Sequence, residues 1–222
     1  MDVTNPSPPG GSKNRRPDAI GGLRRDDRFA RRVALQWRRL IGSGGSRTLI
    51  ACSGGADSTA LLLALALASR ELVVGHVLHD LRARADAEAD RDFVRVLADR
   101  LGLPFVEAEV RVAACPGNAE SNARRERYRS LARLASAHNC LFVATAHHAD
   151  DQFETMLMAL TRGCGPGGLR GIAPSRVLPE SETDRVVTLI RPMLHVTRAE
   201  ARAACASAGI AWREDRTNTD TS

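Results

Sequence analysis

Cys52-Ser53-Gly54-Gly55-Ala56-Asp57-Ser58 is the stretch from which the rest of the chain can be read. Thr48-Leu49-Ile50-Ala51 precedes it, a short apolar run that predicts a buried strand. Thr59 to Ala68 follows, an Ala/Leu run that predicts a buried helix. Strand, glycine turn and helix together make a phosphate-binding arrangement. Gly54 and Gly55 let the backbone turn tightly and approach an anion, and the free amides of the first helical turn point at it. Ser53 and Ser58 can add hydroxyl donors. Asp57 is the odd member: a carboxylate beside a phosphate repels it unless a cation lies between, so Asp57 marks a place for Mg²⁺ or a cationic partner.

The Walker loop is excluded, because it needs a Gly-Lys pair and the one lysine, Lys13, lies far upstream. The stretch instead resembles the S-G-G-x-D-S loop of the PP-loop ATP pyrophosphatases, which split ATP between its α- and β-phosphates. A plain Ser/Asp helix cap after a tight turn is the competing reading. It does not explain six matched positions in a strand–helix context.

The rest of the composition narrows the class. The chain has 222 residues, of which 43% are hydrophobic and 26% charged, as in an ordinary globular protein. Its longest apolar run is too short to span a bilayer, and no secretory signal is visible, so no membrane partner and a cytoplasmic location are expected. Cys52, Cys115, Cys140, Cys164 and Cys205 are widely spaced with no C-x-x-C pair. That argues against a disulfide framework and a zinc ribbon. A net charge of +6 favours a polyanionic partner such as tRNA.

Residues 1–22 are rich in Pro, Gly and Ser and read as a disordered tail. Residues 23–222 read as one catalytic domain. An amphipathic helix is expected over Arg24 to Ile41, with Phe29, Val33, Trp37 and Leu40 on one face. Four strands are expected beyond Thr48–Ala51, over residues 72–78, 104–110, 140–145 and 186–190. Helices are expected between them, over Asp86–Leu101, Glu120–Ala137 and a segment ending near Thr161. Thr197 and Glu200 form a capping box for a last helix that Gly209 ends. Alternating strands and helices imply an α/β fold: a doubly wound parallel sheet of about five strands, with ligands at the carboxyl ends of the strands.

A second informative stretch follows the fourth strand: His147-His148-Ala149-Asp150-Asp151-Gln152-Phe153-Glu154-Thr155. On a helix beginning near Asp150, Asp151 and Glu154 share a face. Acids at a helix start also suit its dipole, but that accounts for one acid rather than three acids and two histidines. H-E-x-x-H spacing is missing, so no zinc site is expected. The G-x-G-x-x-G pattern at Gly163–Gly168 follows a helix, not a strand, and so fails the dinucleotide reading.

Taken in order, Ser53–Ser58, His79–Arg82, Ala123–Tyr128, Ala146–Thr155 and Thr161–Leu169 resemble the bacterial tRNA(Ile)-lysidine synthetase family, from about Arg47 onward. The resemblance implies an adenine nucleotide alpha hydrolase-like fold and a two-step reaction. ATP with Mg²⁺ binds over Ser53, Gly54, Gly55, Ala56, Asp57 and Ser58, with Asp57 holding the metal. The wobble cytidine of a tRNA(Ile) with a CAU anticodon attacks the α-phosphate. L-lysine then displaces AMP through its side-chain amine, and lysidine is formed. Asp151 and Glu154 are implied to seat the lysine ammonium, and Arg124 to neutralise charge on the phosphates or the RNA. An arginine on a solvated helix face is the alternative for Arg124.

The match departs from the family after Asp215-Arg216-Thr217-Asn218: the R-N-x-x-R motif and the tRNA-contacting regions that follow it are missing, so the C-terminal tRNA-binding region is expected to be absent. Two other functions stay open, a tRNA thiolase of the same superfamily and a module that binds ATP without modifying RNA. A homodimer is also left open.

Overall fold

The computed structural model describes residues 16–44, 46–80, 83–110, 118–165, 169–178 and 186–213. Several quoted stretches fall partly outside these residues: Leu81 and Arg82, Cys115, the Pro166–Gly168 part of the glycine loop, and Asp215–Asn218. The first elements among the described residues are a two-stranded hairpin, β1 (Ala19–Ile20) and β2 (Leu23–Arg24), then α1 (Arg28–Ile41). β3 (Thr48–Ala51), α2 (Ala56–Ala68), β4 (Leu72–His79), α3 (Arg84–Leu101) and β5 (Phe105–Val110) follow. Next come α4 (Ala119–Ala137), β6 (Phe142–Ala144) and α5 (Ala149–Thr161). β7 (Ser175–Val177), β8 (Thr188–Ile190) and α6 (Arg198–Ser207) complete the order.

The main sheet runs β5-β4-β3-β6-β8-β7. Its first five strands in that order are mutually parallel and are the five expected from the sequence. The sixth, β7, pairs antiparallel with β8 at the edge. Its three residues are all exposed, so no buried periodicity marks it. The chain moves from β3 outward through β4 to β5, then returns to place β6 on the other side of β3. The carboxyl ends of β3 and β6 therefore flank the point where strand order reverses, the crevice in which open α/β sheets bind ligands.

α2 is buried from Ser58 to Ala68, as a helix apolar on every side must be. It packs against α1 and α6. Phe29, Val33 and Trp37 of α1 are buried as expected, and Trp37 Nε1 donates to Thr48 Oγ1 at 3.1 Å. A second core forms under α4, where Tyr128, Leu131 and Ala135 meet Leu49, Val143 and Leu189. Helices thus cover the sheet from two sides. α5 differs: none of its residues is buried, and Phe153, Leu157 and Leu160 are exposed.

Of the disordered tail expected over 1–22, residues 1–15 lie outside the described residues, and residues 16–22 are ordered. Ala19–Ile20 pairs with Leu23–Arg24, and Gly22 N donates to Ser207 O at 2.8 Å. The Gly21-Gly22 pair reads as flexibility in sequence. Here it permits close approach: Gly21 has φ +57°, and a Cβ there would run into the Ala208 backbone.

Candidate active site

The loop after β3 is braced from within. Ser58 Oγ accepts from Ser53 N at 3.2 Å, donates to Gly55 O at 3.1 Å and meets Ser53 Oγ at 3.1 Å. Gly54 has φ +92°, and its carbonyl accepts from Arg213 N at 3.0 Å. Arg213 is itself held by Asp90, Nε to Oδ1 at 2.9 Å. Behind the loop, His76 is buried and its Nδ1–H donates to Cys52 O at 2.8 Å. Burial lowers its pKa, which keeps it neutral in that role. Gly55 caps α2 without a side-chain partner, so the first-turn amides face outward uncapped.

A cavity of about 280 Å³ opens at this point, between the ends of β3, β4 and β6. Ser53, Asp57, Ser58 and Asp151 of the sequence-derived set line it, together with Thr145, His147 and Arg127. The phosphate loop and the start of α5 thus share one cleft. Glu154 lies one turn further along α5, outside the lining, exposed and 3.6 Å from Arg198 Nη2. Arg124 also stays outside the lining, with its Cζ 5.8 Å from the centre of the Tyr128 ring.

Asp57 Oδ1 is buried and has no hydrogen-bond partner. Its Oδ2 lies 3.4 Å from His148 Nε2. An orphaned carboxylate oxygen beside uncapped amides suits a Mg²⁺ ion held mainly by phosphates and water. No group of three His, Cys, Asp or Glu side chains arranged to hold a metal ion by itself occurs among the described residues. His148 caps α5, accepting from Asp151 N on Nδ1 at 3.4 Å, while Asp151 Oδ2 accepts from His148 N at 2.9 Å. Burial alone would lower the His148 pKa, but Asp57 and Asp151 outweigh it and hold it above the ordinary value.

The two adjacent histidines face different surroundings. His148 belongs to an acidic side formed by Asp57, Asp150 and Asp151. His147, fixed by Thr145 Oγ1 at 3.0 Å, belongs to a basic side. Burial, then Arg191, Arg124 and Arg127, push its pKa down to about 3. Since that is below the unfolded value near 6.5, its contribution is fully present above pH 6.5 and is lost as pH falls toward 3. His147→Gln should therefore flatten the acid limb of the stability curve, by at most about 1.4 kcal/mol per pH unit below pH 6.5. Urea melts at a series of pH values measure this; parallel curves for the two proteins would contradict it.

The motif reading missed Arg127, Arg176 and Arg191. Arg127 lies inside the quoted Ala123–Tyr128 stretch, one turn from Arg124. Arg176 and Arg191 carry no local signal, because only strand pairing at the β8–β7 end of the sheet brings them to Tyr128.

A parallel sheet with a glycine loop, uncapped amides and a lone carboxylate at its switch point defines an ATP-binding α/β domain of the PP-loop type. The chain belongs to that family: residues 26–222 match the PP-loop domain model. It is 42% identical over 177 residues to the tRNA(Ile)-lysidine synthase of Solibacter usitatus, covering 79% of this chain and 38% of that protein. It is 38% identical over 218 residues to the tRNA(Ile)-lysidine synthase of Rhodopirellula baltica, covering 87% of this chain and 53% of that one. The chain thus spans about a third to a half of the curated relatives it matches. Among solved structures it resembles the U34-tRNA thiolase NcsA of Methanococcus maripaludis, with a TM-score of 0.65 and 15% identity over 84% of this chain and 66% of that one. At that identity the likeness is one of fold.

Proposed function

We propose that this chain is the ATP-using catalytic domain of an enzyme that joins L-lysine to C2 of the wobble cytidine in tRNA(Ile) with a CAU anticodon. The observation that carries the reading is the single cleft holding both the Ser53–Ser58 loop and Asp151. The names of the relatives support the same reaction.

The loop amides and the Ser53 hydroxyl grip the triphosphate. Asp57 would hold Mg²⁺, which when bound neutralises phosphate charge as pyrophosphate leaves. The C2 oxygen of the cytidine attacks the α-phosphate, giving an adenylated base. Asp151 and Glu154 draw in the lysine ammonium, and an adjacent carboxylate helps take its proton. The freed amine attacks C2, and AMP leaves. Arg124 offsets phosphate charge on the opposite side. Glu154 must exchange Arg198 for the ammonium, so Asp151 is the stronger anchor.

Incubating the chain with ATP, labelled lysine and unmodified tRNA(Ile) tests the reading. Label in the tRNA is the expected result. ATP binding without transfer would favour the ATP-binding module, and a bound iron–sulfur cluster would favour the thiolase. Asp151→Asn should raise the KM for lysine by about tenfold or more, a charge-assisted contact being worth about 1.5–3 kcal/mol, and Glu154→Gln should raise it less. Equal KM values for both variants and the native chain would remove the acids from lysine binding.

A further inference from the structure

The basic side of the cleft is a built site. Tyr128 is 6% exposed, and its hydroxyl lies toward Arg191. Three guanidinium groups lie over its ring, with Cζ to centroid distances of 5.8 Å for Arg124, 5.5 Å for Arg127 and 4.6 Å for Arg176. A fourth, Arg191, is 5% exposed; its Nη1 donates to Ala173 O at 2.6 Å, and its guanidinium group faces the Tyr128 hydroxyl. Among the described residues none of the four arginines forms an ion pair with a carboxylate. Stacking on one phenol offsets only part of the mutual repulsion of four cations in a partly buried place. Such a cluster is stable and useful when an anion completes it, and planar guanidinium groups suit the paired oxygens of a phosphate.

The position indicates which phosphate. The loop amides already serve the nucleotide from the acidic side of the cleft. The arginine cluster reaches the cavity through Arg127 and His147, and extends to Arg176 on the exposed edge strand β7. A ligand there can enter the cavity at one end and continue past the sheet edge at the other, as a polymer does and a nucleotide does not. We propose that Tyr128, Arg124, Arg127, Arg176 and Arg191 form a phosphodiester seat for the polynucleotide substrate, gripping the backbone beside the reacting nucleotide while its base enters the cavity. This rests on the proposed RNA substrate and adds where the backbone lies.

The test uses the native chain with Arg176→Gln and Arg176→Lys, because Arg176 is exposed and its replacement leaves the core intact. A dye-labelled tRNA(Ile) anticodon stem-loop and one of unrelated sequence are titrated by fluorescence anisotropy, from about 50 to about 200 mM salt. Binding of ATP with Mg²⁺ is measured in parallel by calorimetry. Arg176→Gln should weaken both RNAs about three- to tenfold at low salt and reduce the log–log salt slope by about one, since phosphate contacts carry no sequence information. Arg176→Lys should recover most of the slope, and ATP affinity should not change. Weakened ATP binding with RNA binding intact would give the seat to the nucleotide and overturn the proposal. So would unchanged RNA binding in Arg176→Gln, or no stem-loop binding by the native chain. If RNA binding behaves as expected but no lysine is transferred, the seat stands and the ligase reading falls.

Discussion

Asp57→Asn is expected to leave the chain folded and to reduce ATP consumption by about 10²-fold or more, the scale set by losing one preorganised charge at a phosphoryl centre. The substitution keeps the shape of the side chain. One Asp57 oxygen has no protein partner, and the other lies 3.4 Å from His148 Nε2. An asparagine oxygen can still accept from His148 Nε2, so the fold loses mainly the charge of that pair and a favourable acid in the first turn of α2, the latter worth about 0.3–1 kcal/mol. The functional loss is larger, because an amide cannot balance a divalent cation. The native chain should be stabilised by MgATP, by about 2.7 kcal/mol at a hundredfold excess over Kd. Asp57→Asn should lose most of that gain while melting near the native temperature without ligand. Thermal melts with and without MgATP, run beside pyrophosphate release, give both numbers. A variant that kept its MgATP stabilisation would show that Asp57 serves the α2 terminus alone.

The contrast between Asp57 and the arginine cluster shows what the sequence could reveal. The loop, its strand and its helix are contiguous, and each states its preference locally: β-formers, paired glycines, an Ala/Leu run. Such segments recur along the chain, which is why all five parallel strands were legible, whereas their order in the sheet is set by tertiary pairing. The start of α5 was legible for the same reason, since His148, Asp150 and Asp151 lie within four residues there, but Glu154, paired with Asp151 in the sequence reading, falls outside the cavity lining. The basic side was not. Tyr128 and its arginines come from α4, the exposed edge strand β7 and the residue after β8, which only strand pairing brings together. Arg191 looks like an ordinary loop arginine until its burial is known. The Gly21-Gly22 hairpin was misread because composition cannot tell a glycine that frees the chain from one that lets two backbones touch. α5 was placed correctly as a helix, yet its exposed Phe153 and Leu157 show that apolar content alone does not assign a buried face.

Gly54→Ala and Gly55→Ala, one residue apart, should separate sharply. Gly54 has φ +92°, a region in which a side chain is strained whatever the room around it. Room is not the difficulty: a Cβ would sit 3.4 Å from Phe93 Cδ1 and 3.6 Å from Arg213 Cγ, ordinary packing distances. An alanine must therefore hold the strained conformation, at about 1–2 kcal/mol, or rotate the peptide. Rotation turns the Gly54 carbonyl away from Arg213 N and Thr59 Oγ1 and re-aims the amides that follow. Either way the phosphate cradle shifts, and a displacement of about 1 Å there is enough for roughly a 10²-fold loss in turnover. Gly55 is different. As the residue before α2 it has φ −69° and ψ 164°, extended backbone open to any residue, and its nearest obstacle is Ser53 Oγ at 3.6 Å. Gly55→Ala should thus be as stable as the native chain, or up to about 1 kcal/mol more so through the smaller entropy of its unfolded state. Its ATP affinity then reports only whether a methyl group obstructs the phosphates. Denaturant melts and MgATP titrations of both variants check the pair. Equal stability losses would mean that the left-handed turn at Gly54 is not what shapes the loop.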